Sequence, residues 1–183
     1  MIEYLDVLDK EGNKTGRKLP RNEVNENGLW HLSVNLWLVT PDHKILLCKR
    51  PKDKDAFPDV WAHAAAGHVS SGEDSLYSII KEAKEEINLD LIPDDLSLLF
   101  SYPKSDIVLP DKYIHNSWFD VYLANKDISV NDMEIDPEKI QEAKLVTIDE
   151  LEQMTQTPGL MLPFPYEYPK IIKLLRKEWK NSK

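Results

Sequence analysis

The stretch from Gly67 to Leu89 constrains this chain more than any other part of it. It reads Gly67-His-Val-Ser-Ser-Gly-Glu73, then, after seven further residues, Lys81-Glu82-Ala83-Lys84-Glu85-Glu86 and Ile87-Asn88-Leu89. Glu82, Glu85 and Glu86 stand at i, i+3 and i+4, so on a helix they project from one side. Leu76, Ile79, Ile80, Ala83 and Ile87 recur at helical spacing on the other side and require a core to pack against. Each like-charge i,i+4 pair costs roughly 0.2–0.5 kcal/mol. Three crowded glutamates therefore want a positive partner, and a hard divalent cation such as Mg²⁺, which takes oxygen ligands alongside phosphates, supplies one.

The segment resembles the Nudix box, G-x5-E-x7-R-E-U-x-E-E-x-G-U, where U is a bulky aliphatic residue. Gly67, Glu73, Glu82, Glu85, Glu86 and Leu89 match, and Ala83 is a small version of the first aliphatic position. A gapped pattern with this many set positions is specific. Two positions depart: Lys81 stands in place of arginine and Asn88 in place of glycine. Asparagine is the next best residue for the left-handed end of a helix, so Asn88 is a mild change. Lysine is a mobile point charge where arginine is a rigid fork, so Lys81, able to pair with Glu85 one turn on or with a neighbouring carboxylate, orients it less firmly.

The resemblance implies an α/β fold, a Nudix-like α/β/α sandwich with a mixed β-sheet and, here, an N-terminal β-hairpin. It implies a hydrolase acting on a diphosphate linked to some group X, such as a nucleotide derivative. The Gly67 carbonyl with Glu82, Glu85 and Glu86 would hold Mg²⁺, with Mn²⁺ as a second candidate ion. Glu82 or Glu85 is the first choice for the base that activates water, with Lys81 as their orienting cation. The family sometimes takes its base from a loop, and Glu134, Glu138 and Glu142 lie in a suitable late region.

Other segments are similar to the Nudix branch containing type I isopentenyl-diphosphate isomerase: Leu5-Asp-Val-Leu-Asp9, Trp30-His31-Leu32, Phe57-Pro-Asp-Val-Trp61 and Ala66-Gly67-His68. The isomerase protonates and deprotonates an alkene, which needs an acid and a base on opposite sides. Its cysteine before the Gly-His pair is Ala66 here. Val24 stands nearest its extra histidine, and His115-Asn-Ser117 stands nearest its Glu-x-Glu pair. Only His31 and His68 match its metal ligands, so the hydrolase is favoured. A binding module with little turnover is a third reading, supported by Lys81 and opposed by the full set of glutamates.

Composition narrows the class. The chain has 183 residues, 42% hydrophobic and 30% charged, which fits one domain with a substantial core. The expected layout is a single Nudix-like domain over 1–183, with a hairpin extension at 1–30 and a C-terminal helix at 165–180. A net charge of −9 argues against a nucleic-acid surface. A lone cysteine, Cys48, fits a buried strand position in a reducing compartment. No apolar run reaches membrane-spanning length, so a cytoplasmic protein is expected, with a small-molecule diphosphate as partner and a homodimer left open.

The remaining reading is local. Strands are expected at His31–Thr40, Lys44–Arg50, Leu96–Tyr102, Tyr113–Ala124 and Ile140–Ile148, with charged or proline-bounded loops at Pro51–Pro58 and Pro103–Pro110. Asp149 is expected to cap a short helix, and Ile171–Trp179 to form an amphipathic one. Trp37, Trp61, Trp118 and Phe119 suit a core better than a stacking platform. His63, His68 and His115 suit structural hydrogen bonding better than ligation, with His68 the strongest exception. Lys49, Arg50, Lys52 and Arg21 suit solvated strand ends better than phosphate contacts.

Overall fold

The structure, a computed structural model, describes residues 2–54, 57–108 and 113–181. The N-terminal hairpin pairs β1 (Tyr4–Leu8) with β2 (Lys14–Pro20). Its turn is tied by Asp9, whose side chain accepts the Asn13 N–H at 2.8 Å. A short helix that the sequence reading omitted, α1 (Arg21–Glu26), follows Pro20.

The next strand, β3 (Trp30–Val39), is the spine of the sheet. Along one edge it pairs in parallel with β8 (Tyr113–Asn125), from Trp30 opposite Asn116 to Val39 opposite Asn125. Its other edge is shared in turn by β1, by β6 (Ala65–His68) and by β4 (Ile45–Lys49). Beyond β4 lie β5 (Trp61–Ala62) and β9 (Glu142–Val146), and β7 (Leu96–Val108) pairs antiparallel with β8.

Alternation along β3 builds two cores. Val34, Leu36 and Leu38 face the helix α2 (Ser75–Ile87) and pack with its Ile79, Ala83 and Ile87. Trp37 and Val39 face α3 (Ile148–Gln156) and α4 (Glu167–Asn181), packing with Leu151, Ile171 and Leu175. Helices on both faces of a mixed sheet make the expected α/β/α sandwich and explain why β3 is apolar almost throughout. Glu167, wholly buried at the start of α4, pins that helix to the sheet. It accepts hydrogen bonds from Asn35 Nδ2 at 2.9 Å, Trp37 Nε1 at 2.7 Å and the Tyr102 hydroxyl at 2.6 Å.

Several boundaries differ from expectation for identifiable reasons. β7 continues through Pro103, opposite Trp118, to Val108. It does so because its outer edge has no strand partner among the described residues, where a missing N–H costs little. Residues 109–110 of the expected Pro103–Pro110 loop, and 55–56 of the Pro51–Pro58 loop, lie outside the described residues. The cap of α3 is Thr147, not Asp149. Thr147 Oγ1 accepts the Glu150 N–H, and Glu150 accepts the Thr147 N–H in return, the reciprocal arrangement of a capping box. α4, expected at 165–180, runs Glu167–Asn181 and takes Pro169 into its first turn, which a helix tolerates there because its first N–H groups lack intrahelical partners. Among the described residues, no helix is long and apolar enough to cross a membrane.

Candidate active site

α2 is cut cleanly at both ends. The Asp74 side chain accepts the Tyr77 N–H at 2.7 Å to open it. Asn88 closes it in the left-handed region, φ 48° and ψ 35°, with the Leu89 N–H returning to the Ala83 carbonyl at 3.2 Å. The asparagine that replaces the box glycine therefore does the glycine's backbone work.

Gly67, on β6, sits hard against Glu82. A Cβ built there would come within 2.6 Å of Glu82 Cγ and overlap Cδ and Oε1. The missing side chain lets Glu82 lie along the Gly67 backbone and brings the box loop to the helix. Glu86 reaches the same strand from the next turn, accepting the Ala66 N–H at 3.1 Å. Burial, with the charge of Glu82 added, pushes Glu86 up to about 7, against the Ala66 N–H, Lys139 and Arg50. Burial also raises Glu82, with Lys139 opposing and Glu85 adding to it. Glu85 is the most open of the three, its side chain half exposed.

Lys81 does not pair with Glu85. Its Nζ lies 3.1 and 3.2 Å from the two carboxylate oxygens of Glu73, the box residue in the loop before the helix. Ser78 Oγ donates to Glu73 Oε2 at 3.0 Å. The helical i,i+4 rule favours Glu85, but the loop folds back over the first turns and delivers Glu73 to the ammonium instead. Lys81 thus ties the loop to the helix. Lys81→Ala should leave α2 intact, since alanine is the better helix former, and lower kcat several-fold, matching loss of a partly exposed pair of ~1 kcal/mol. Lys81→Arg should match or exceed the wild-type rate, because a guanidinium holds Glu73 with two bonds. Comparing kcat for the three proteins on one substrate, with circular dichroism for the fold, tests this; collapse of Lys81→Arg would show a specific need for lysine.

The cation in contact with two of the helix carboxylates is Lys139, from a segment whose acidic residues are the more conspicuous in sequence. Its Nζ lies 3.5 Å from Glu82 Oε2 and 3.3 Å from Glu85 Oε2. Glu134 is engaged by Asn88 Nδ2 at 2.7 Å, while Glu138 and Glu142 are exposed and absent from the cavity lining.

Glu82, Glu85 and Glu86 form one wall of a cavity of about 970 Å³. Facing it are Lys104, Phe119 and Phe164, with the Lys104 ammonium 4.8 Å from the centre of the Phe164 ring. Burial lowers Lys104 to about 8, against the pull of Glu167. Arg21, Lys49 and Arg50 also reach this cavity. Arg21 pairs with Glu3, Lys49 pairs with Asp59, and Arg50 Nε donates to the Phe57 carbonyl. Trp37 and Trp61 belong to the core as expected, and Cys48 is a buried strand thiol.

A second donor set lies beside the cavity, with His68 and His115 lining it and the fully buried His31 behind them. His31, His68 and His115 bring ring nitrogens within 4.8 Å of one another. His31 Nε2 and His68 Nε2 are buried without a hydrogen bond among the described residues. Burial is the main cause holding His31 down to about 4 and His115 to about 3, so all three rings are neutral at physiological pH. Neutral imidazoles could hold a borderline cation such as Zn²⁺, a softer choice than the carboxylates make. The parallel pairing of β3 with β8, with His31 opposite Ser117, is what adds His115 to the two histidines matched from sequence.

Comparison with known proteins bears on the family and the fold. Residues 29–164 match the NUDIX domain. Over 181 residues the chain is 32% identical to Nudix hydrolase 3 of Arabidopsis thaliana, covering 96% of this chain but only 23% of that longer relative. It is 26% identical to the isopentenyl-diphosphate Delta-isomerase of Shigella boydii serotype 4, over 73% of each chain. Among solved structures, DR0079 from Deinococcus radiodurans superimposes with a TM-score of 0.65 at 20% identity, covering 96% of this chain and 98% of that one. That last likeness is one of fold.

Proposed function

Since the chain belongs to the Nudix family, its domain match spanning residues 29–164, we propose that it is a metal-dependent hydrolase of a diphosphate linkage in a small molecule. The observation that carries this reading is the close seat of Glu82 on Gly67, which sets three carboxylates on one wall of a cavity large enough for a nucleotide-sized ligand. The donors suit the ion: oxygen ligands only, crowded on one helix face, with burial raising the proton affinity of Glu82 and Glu86 where no cation offsets their charge.

Glu82, Glu85 and Glu86, with the Gly67 carbonyl, would hold Mg²⁺ or Mn²⁺. When bound, such an ion neutralises diphosphate oxygens and lowers the pKa of a water. Glu82 is the better candidate base of the two first considered. Its side chain is 12% exposed against 50% for Glu85, and burial raises its affinity for a proton, the direction a general base needs. The Lys81–Glu73 pair holds the loop in register, and the lysines and arginines around the cavity offset the charge of an incoming diphosphate.

One observation favours an isomerase-type enzyme: His31 and His68, which match its metal ligands, are joined by His115 in one cluster of ring nitrogens. Against it, Ala66 offers only a backbone N–H, already given to Glu86, and residues 115–117 carry no carboxylate. The acid and base that alkene chemistry needs are therefore lacking.

The test is turnover of a panel of nucleoside diphosphate derivatives, coenzyme diphosphates and prenyl diphosphates with Mg²⁺ or Mn²⁺, followed by chromatography. At least one should be cleaved, EDTA should abolish cleavage, and isopentenyl diphosphate should give no dimethylallyl diphosphate. Appearance of dimethylallyl diphosphate would reverse the choice of enzyme, and no metal-dependent cleavage anywhere in the panel would leave the binding module as the better reading.

A further inference from the structure

Segment 131–141 enters the site through a lysine, and it is docked rather than loosely laid there. The Asp136 N–H donates to the Glu86 carbonyl at 3.0 Å, joining the segment to the end of α2. The N–H groups of Lys139 and Ile140 turn back to the Asp136 carbonyl at 3.0 and 2.8 Å, and the Gln141 N–H donates to the Lys49 carbonyl at 2.8 Å. Ile140 is buried in the core beneath α2. Asn88 completes the docking through its 2.7 Å bond to Glu134, a bond that glycine at that position has no side chain to make. The second departure from the box is therefore also a latch for the segment that carries Lys139.

We propose that Lys139 is an internal counter-cation of the carboxylate site, one that a divalent ion displaces and an incoming diphosphate then engages, so that ion and diphosphate bind cooperatively. The proposal rests on the reading of Glu82, Glu85 and Glu86 as metal ligands. The ammonium contacts two of those three carboxylates directly. It cancels part of the charge that would otherwise draw in a cation, so the protein alone holds the ion weakly. A diphosphate offers the same ammonium a stronger anion with several oxygen acceptors. Once Lys139 turns to it, competition for Glu82 and Glu85 ends. Linkage then requires the gain to be mutual: diphosphate tightens the ion by the factor by which the ion tightens diphosphate. Lys139 is a binding residue in this scheme, touching first the carboxylates and then the diphosphate, and no proton or covalent bond passes through it.

Calorimetric titration of the full chain with Mn²⁺ alone, then with Mn²⁺ in the presence of methylenebisphosphonate, which resists hydrolysis, tests the idea. Lys139→Gln should bind Mn²⁺ alone about tenfold tighter than wild type, as expected for removing a close, partly exposed positive charge. Its further gain on adding the bisphosphonate should be smaller than that of wild type. Lys139→Arg keeps the charge and should stay within about threefold of wild type. Asn88→Gly keeps the ammonium but loses the latch, and should show a smaller tightening in the same direction. A purely structural role would lower the metal-free melting temperature and leave Mn²⁺ affinity unchanged. Unchanged or weaker Mn²⁺ binding by Lys139→Gln overturns this proposal alone. A wild-type chain that binds no Mn²⁺, with or without bisphosphonate, overturns the carboxylate assignment and this proposal with it.

Discussion

Glu86→Gln should cut metal-dependent turnover by at least ~10²-fold, the scale of losing a positioned charged group in an active site, while stabilising the metal-free protein above neutral pH. The two effects share one cause. Glu86 is a half-buried carboxyl on the cavity wall whose affinity for a proton is raised from the ordinary 4.5 to about 7, by desolvation first and then by Glu82. A carboxyl raised in the folded state binds more protons there than in the unfolded chain, so folding stability falls as pH climbs from about 4.5 through about 7. The charged form thus costs on the order of 1–3 kcal/mol in the metal-free protein at pH 8. Glutamine keeps the shape and an oxygen to accept the Ala66 N–H, and removes that charge. The melting temperature of metal-free Glu86→Gln at pH 8 should therefore exceed that of wild type, and the difference should vanish towards pH 4. Saturating Mg²⁺ should stabilise wild type more than the variant, because only wild type presents the full anionic ligand set. A near-normal rate in Glu86→Gln would sink the metal assignment.

Gly67→Ala should be nearly as damaging, for a steric reason. The backbone of Gly67 lies outside the left-handed region, so alanine is allowed there by conformation. What it lacks is room, because its Cβ would overlap the Glu82 side chain from Cγ outward. Glu82 must swing away or β6 must separate from α2, and either displaces a carboxylate by about an ångström. Misplacement of that size costs ~10²-fold where chemistry depends on positioned groups. The same displacement should weaken Mg²⁺ binding in calorimetry, while circular dichroism shows the fold preserved. Normal turnover with normal Mg²⁺ affinity would mean that the seat of Glu82 on Gly67 is packing alone.

Legibility followed the range of the interactions. The helix at 75–87, its apolar face and its carboxylate face were readable because they depend on spacing within a few turns. Asn88 in the left-handed region was readable for the same reason. Lys81 shows where such reasoning stops: its partner is eight residues back in a loop rather than four ahead on the helix. Thr147 displaced Asp149 as a cap because the reciprocal bond with Glu150 outweighs an aspartate two residues too late. Pro103 entered a strand because that strand lies on the sheet edge, a fact of topology rather than of local preference.

By itself the sequence determined the box, its helix, the strand at His31–Thr40 and the N-terminal hairpin, since each is written in residues close together along the chain. Tertiary structure alone decided which groups meet across long separations. Lys139 reaches Glu82 and Glu85 from more than fifty residues away because segment 131–141 docks on the end of α2. His115 joins His31 and His68 because β3 and β8 run parallel in one register. Glu167 is buried because three donors from β3 and β7 converge on it. Periodicity carries no information about such pairings, since they are set by how sheet and helices close around a shared core rather than by any residue's neighbours in sequence.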